Sequence, residues 1–252
     1  MPGNNLKDNW IAIASPLTIP QNFMGNTVVI APHPDDESLG CGGTIALLKK
    51  AAKPVKIIFV SDGSMSHPNS KKYPVNKLIK LRQQEAIRAA EILGVPKTDC
   101  IFLLLKDSLL PGNFDPGFTS AVNLVATQLQ KLQPSTILLP WKNDPHKDHR
   151  ACWQMVNAAL QQCGLQALLF HYLIWFWERG KLGKNDPLLK KINWRKVDIS
   201  EVVKNKEAAI AAHGSQVTAL VDDDADGFTL SPEVLSHFND SFELFICLKH
   251  KI

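Results

Sequence analysis

Residues 26–43 read NTVVIAPHPDDESLGCGG, and this stretch decides the fold. Its first six residues are a short β-branched run halted by Pro32, the pattern of a strand buried on both faces. Residues 38–51 (SLGCGGTIALLKKA) then place Leu and Ile at helical spacing with Lys49 and Lys50 in the last turn, so a helix begins soon after the strand stops. Outward from there, residues 55–61 (VKIIFVS) repeat the buried-strand pattern. Residues 78–93 (LIKLRQQEAIRAAEIL) carry an amphipathic period ended by Gly94. The alternation continues with a strand at 101–105, a helix at 118–132, a strand at 136–140 and a helix at 149–163. Such repetition predicts a doubly wound, Rossmann-like α/β fold, a single mostly parallel sheet with helices on both faces. Ligands of such folds bind at the carboxyl ends of strands.

Beyond residue 164 the pattern loosens. Residues 168–177 (LLFHYLIWFW) read as an aromatic-rich strand, 181–194 as a polar connection, 204–216 as a helix and 242–248 as a last strand. The expected organisation is one domain over 1–252, with a core at about 26–165 and a C-terminal extension at about 166–252. Residues 221–227 (VDDDADG) superficially resemble a calcium loop but lack its closing Glu, so a solvated turn is expected.

The 252 residues include 28 Lys+Arg against 24 Asp+Glu, a net charge of +4, and 45% hydrophobic residues, which supports a sizeable core and excludes a disordered chain. The scattered basic residues argue against a nucleic-acid partner. No apolar run approaches the ~20 residues of a membrane span. The opening MPGNNLKDNW lacks the basic-then-apolar layout of a signal peptide, so a cytoplasmic protein without stable membrane insertion is expected. Five cysteines at 41, 100, 152, 163 and 247 show no CxxC spacing and read as reduced thiols. A homo-oligomer is compatible with the sequence and not fixed by it.

Two polar clusters stand at predicted strand ends. In the first, His33, Asp35, Asp36 and Glu37 follow strand 26–31, and Pro34 is suited to the first helical position, which puts Asp35 and Asp36 in the first helical turn. His33 and Asp36, three apart, face one point as metal ligands, while Asp35 projects elsewhere and reads as a general base. In the second, residues 141–149 (WKNDPHKDH) follow strand 136–140, with His146 and His149 also three apart and Asp148 placed to hydrogen-bond an imidazole. His149 is the third ligand. Two His and one Asp with a fourth position for water make a catalytic rather than a structural zinc set. Gly40, Gly42 and Gly43 form GxGG, not GxGxxG, and the neighbouring carboxylates would repel a pyrophosphate, so a dinucleotide site is set aside.

Residues 31–43 (APHPDDESLGCGG) together with HKDH at 146–149 resemble the PIG-L/LmbE-type family of zinc-dependent N-deacetylases. The resemblance extends through Ser61-Asp62-Gly63, Arg82-Gln83-Gln84-Glu85 and His213-Gly214-Ser215-Gln216. It implies one Zn²⁺ per chain on His33, Asp36 and His149, with Asp35 as general base and acid. It also implies that His146, tuned by Asp148, stabilises the oxyanion, read here as an imidazolium. The implied reaction is removal of an N-acetyl group from an N-acetylglucosamine-type conjugate, releasing acetate.

The Arg that some relatives carry after Asp62-Gly63 is absent, the chain reading Ser64-Met65-Ser66-His67. Substrate contacts are therefore expected from Arg82, Trp141 and His213. Arg82 equally reads as a helix ion pair with Glu85, Trp141 as core, and His213 as a helix end. Two other functions compete. A metal-dependent amidase or phosphoesterase on another small molecule uses the same residue types, though two-metal phosphoesterases need more carboxylates. A non-catalytic sugar-binding module has no use for Asp35 and His146 beside the ligands.

Overall fold

In the computed structural model, residues 6–180 and 192–247 are described. The strands β2 (Thr27–Ala31), β3 (Val55–Ser61), β4 (Cys100–Leu105), β5 (Thr136–Pro140) and β6 (Leu168–Tyr172) alternate with the helices α2 (Asp36–Lys50), α3 (Val75–Ile92), α4 (Phe118–Leu132) and α5 (Lys147–Cys163). Helix α1 (Leu6–Ile13) and the two-residue β1 (Ser15–Pro16) precede them. The short α6 (Phe176–Arg179), β7 (Trp194–Asp198), α7 (Val203–Ala212), α8 (Gly214–Val217), α9 (Pro232–Ser236) and β8 (Phe242–Cys247) follow. One eight-stranded sheet results, in the order β1-β7-β8-β6-β5-β2-β3-β4. Pairing is parallel from β6 through β4, and β8 runs antiparallel to both β6 and β7. The mostly parallel α/β sheet read from the sequence is the one observed.

Burial on both faces explains why β2 lacks alternation. Val29 and Ala31 pack with Ile57, Phe59, Leu48 and Ala89 on one side, and Val28 and Ile30 with Ile58, Val125, Met155 and Val156 on the other. The chain winds from β2 outward through β3 to β4, then returns to β5 on the other flank of β2. The switch point thus lies between β2 and β5, and both polar clusters follow those two strands.

Three expectations need correction. The run 168–177 is not one strand: β6 ends at Tyr172, because Asp144 takes the Trp175 N–H at 3.2 Å and turns the chain into α6. Strand β7 (WRKVD) was unforeseen, because its polar residues hide a strand whose Trp194 and Val197 are buried. Helix α2 starts at Asp36 and breaks at Cys41. Beyond the break, the Gly43 and Thr44 N–H groups donate to the Glu243 carboxylate at 2.8 Å each, and Lys206 pairs with Glu243 at 2.7 Å. Most of the expected 181–194 connection lies outside the described residues.

Candidate active site

Pro34 does not open α2 as the sequence suggests. Asp35 is the N-cap, at φ 141°, a conformation costly for a residue with a side chain. Glu37 holds it there: one carboxylate oxygen accepts the Asp35 N–H at 3.0 Å, and the other accepts from Ser38 Oγ at 2.6 Å and lies 2.9 Å from His213 Nε2. The Asp35 carboxylate is thereby turned into the cavity, where Arg82 Nη2 reaches it at 3.1 Å.

Asp36 Oδ2 lies 3.2 Å from His33 Nδ1 and 3.3 Å from His149 Nε2, and accepts the His33 N–H at 3.0 Å. His33 Nε2 faces Asp148 at 3.2 Å and Asp107 at 3.3 Å. Ring nitrogens of His33, His146 and His149 lie within 4.8 Å of one another, as do ligand atoms of His33, Asp107 and Asp148. His149 is fully buried, with Nε2 facing Asp36 at 3.3 Å and Nδ1 facing Asp144 at 3.4 Å without good hydrogen-bond alignment, and Asp148 Oδ1 has no hydrogen-bond partner among the described residues. Two such triads sharing His33, with buried imidazole and carboxylate donors, fit a divalent metal, which N/O donor sets of this kind accept.

The electrostatics point the same way. Burial opposes a charge on His149, but Asp36 and Asp144 overcome it and push its pKa up to about 9. Burial also opposes a charge on His33, yet Asp107, Asp148 and Asp36 raise its pKa well above the usual value. Desolvation works against ionised Asp36, but His149 and His33 hold it well below the usual carboxylate range. This basin of negative charge favours a cation. Asp35 behaves differently. Burial raises it from 3.8 to about 7 against the pull of Arg82, with the charge on Asp36 adding to the rise.

His146 caps α5. Its Nδ1 accepts the Asp148 N–H at 3.2 Å, so the neutral ring carries its proton on Nε2. Burial first, then repulsion from His149 and His33, push the pKa of His146 down to about 4. Asp148 acts through two groups. Its backbone orients His146, whereas its carboxylate serves His33 and the Ser108 N–H (2.8 Å). Asp144 and Asp107 received no role from the sequence. Asp144, fully buried, accepts the His146 N–H at 2.9 Å and sits 3.4 Å from His149 Nδ1, while Asp107 follows β4. The strand-end rule that singled out His33 and His146 applies equally to Asp107.

A cavity of about 230 Å³ opens onto Asp35, Asp36, His33 and His146, and Trp175 and Gln216 also line it. Arg82 lines it without pairing to Glu85, whose carboxylate instead takes the Ser215 N–H and hydroxyl at 2.7 and 2.6 Å. Trp141 and His213, the other expected substrate contacts, lie off the cavity wall. Trp141 packs edge-on against Phe176 at 5.1 Å, and His213 stands behind Asp35 on Glu37. The acidic segment is no free turn either. Asp223 accepts from Ser70 Oγ and the Lys71 and Lys72 N–H groups at 2.6–2.8 Å, and the Phe228 N–H reaches Ser66 O at 2.6 Å. This clasp holds Phe228 beside Ser66, and the exposed Met65 and Phe228 both line the cavity.

Fold and site define an α/β protein with a candidate His/Asp metal centre and a buried carboxyl at the switch point of its sheet. The chain belongs to the PIG-L family: residues 28–160 match the family described as GlcNAc-PI de-N-acetylase. It is 30% identical over 230 residues to the diacetylchitobiose deacetylase of Thermococcus kodakarensis, covering 84% of this chain and 79% of that protein. It is 24% identical over 207 residues to the 2'-N-acetylparomamine deacetylase of Streptomyces fradiae, covering 76% and 74%. Among solved structures, a conserved protein of Thermus thermophilus is similar with a TM-score of 0.65 and 25% identity, over 91% of this chain and 96% of that one.

Proposed function

We propose that this chain is a zinc-dependent hydrolase that removes the N-acetyl group from an N-acetylglucosamine-type conjugate, releasing acetate and a free amine. One observation carries the reading. The Asp36 carboxylate oxygen lies within 3.3 Å of a nitrogen of both His33 and His149, beside the buried Asp35 carboxyl on the same cavity. His33, Asp36 and His149 would hold the metal, which when bound polarises the acetyl carbonyl and lowers the pKa of water from ~15.7 toward ~7.

Asp35 takes a proton from the attacking water and returns it to the departing nitrogen, a role typically worth ~10²–10⁴-fold. Arg82 steers the carboxylate that does so. His146 donates from Nε2 to the oxyanion of the tetrahedral intermediate, its other nitrogen being occupied by the Asp148 N–H. The Asp148 N–H orients the His146 ring, and Asp144, 3.4 Å from His149 Nδ1, orients the other imidazole of the second loop. The names of the relatives, a diacetylchitobiose and an N-acetylparomamine deacetylase, support an N-acetylated amino sugar as the substrate class.

Acetate release from a panel of N-acetylglucosamine conjugates tests this, with metal-free protein, zinc-restored protein and D35A. We expect zinc-dependent release that D35A reduces at least ~100-fold while zinc remains bound. Near-wild-type turnover by zinc-loaded D35A would remove Asp35 from the mechanism, and cleavage of phosphate esters in place of amides would overturn the reaction class.

A further inference from the structure

We propose that Arg179 makes the mouth of the cavity a subsite for an anionic group, a carboxylate or a phosphate, carried by the substrate beyond its N-acetyl sugar. The identity of the sugar rests on the deacetylase reading; the anion preference rests on Arg179 itself. The deep end of the cavity is acidic, with Asp35, Asp36 and Asp107 on its wall. Its exposed rim is formed by Met65, Phe228 and Arg179. Two arginines line this space. The charge of Arg82 is taken up by Asp35 at 3.1 Å, whereas Arg179 has no ion pair or side-chain hydrogen bond among the described residues. Its neighbour Glu178 is turned away, to His237 at 3.1 Å.

Arg179 is nonetheless held in place. Its guanidinium carbon sits 4.5 Å from the centre of the Trp175 ring, and its backbone N–H bonds Trp175 O at 2.8 Å. Trp175 is buried, anchored through its N–H to Asp144, stacked on His146 at 6.4 Å and met edge-on by Phe228 at 5.8 Å. A guanidinium lying over an indole keeps its N–H edge free, and that fork matches the two oxygens of a carboxylate or phosphate. The indole thus links the imidazole beside the metal ligands to a cation at the rim. A cavity of about 230 Å³ is at the small end for a ligand site, room for one sugar ring, so the remainder of a conjugate leaves past Trp175 and Arg179.

The test uses zinc-loaded protein and three N-acetylglucosamine glycosides of equal length, one ending in a carboxylate, one in a phosphate and one in a neutral hydroxyl. We expect the charged glycosides to exceed the neutral one by about tenfold in kcat/KM at low salt, mainly through KM. R179Q should bring the ratio near one, R179K should leave part of it, and R179E should reverse it; the better anion identifies the source. An absent preference in the wild type, or one that survives R179Q, overturns the proposal and leaves the deacetylase reading standing. If no glycoside releases acetate, that reading fails instead. Calorimetric titration of wild type and R179Q with the three corresponding free-amine glycosides then decides the subsite: an anion preference lost in R179Q supports it, and equal binding of all three overturns it.

Discussion

At the scale of single residues, Asp35 concentrates the chemistry and the strain. Its backbone occupies φ 141°, stabilised by Glu37, and its carboxyl is raised from 3.8 to about 7 by burial. A carboxyl whose folded pKa lies above its unfolded value withdraws stability as pH rises from about 4 to about 7, because the unfolded chain ionises across that interval and the folded site resists. Metal-free wild type should therefore lose thermal stability between pH 5 and pH 8, and D35N should lose less. Parallel Tm-versus-pH curves for the two would mean that Asp35 is ionised throughout. The residue types were legible in the sequence, since His, Asp and Asp after a strand end carry a recognisable spacing. The left-handed cap was not, because it depends on Glu37, which is itself fixed by His213 from a distant helix end.

At the scale of elements, the GCGG segment explains itself only against its neighbours. A Cβ at Gly40 would meet the Tyr172 ring at 2.4 Å, and one at Gly43 would meet Ile199 at 2.6 Å, so these glycines permit close approach of α2 to β6 and to the chain after β7. G40A should cost about 1–3 kcal/mol by overpacking, read from urea denaturation. Glu243, on β8, accepts the N–H groups of the second half of α2 and pairs with the buried Lys206. E243A leaves that ammonium without a carboxylate and should cost about 3–5 kcal/mol; a loss below about 1 kcal/mol would show that water reaches Lys206. Helix α4 and strands β3 and β5 match their expected limits because apolar periodicity and local stop signals suffice there. Strand β7 was missed because its partners β1 and β8 come from opposite ends of the chain.

At the scale of the molecule, the core and the site are separable. The two large apolar clusters flank the sheet, while the metal-capable side chains gather at its carboxyl edge. Chelation should accordingly abolish activity and lower Tm without loss of secondary structure by circular dichroism, and about one equivalent of zinc per chain should restore both. Ligand at 1,000 times its Kd adds about 4 kcal/mol of stability. Two equivalents for full recovery would count against a single centre. No helix among the described residues is long and apolar enough to cross a membrane. By itself the sequence determined the α/β alternation, the two strand-end clusters and the family, since each is written in residues close together in the chain. Tertiary structure alone decided that Asp107 stands beside His33 and Asp144 beside His149, that Trp141 and His213 lie off the cavity wall, and that the acidic segment clasps residues 66–72. It also decided that Arg179 stands over Trp175 at the cavity mouth. The physical reason is range: periodicity and capping act over a few residues, whereas carboxylate partners and ring stacking are set by whichever distant segments the sheet brings to one edge.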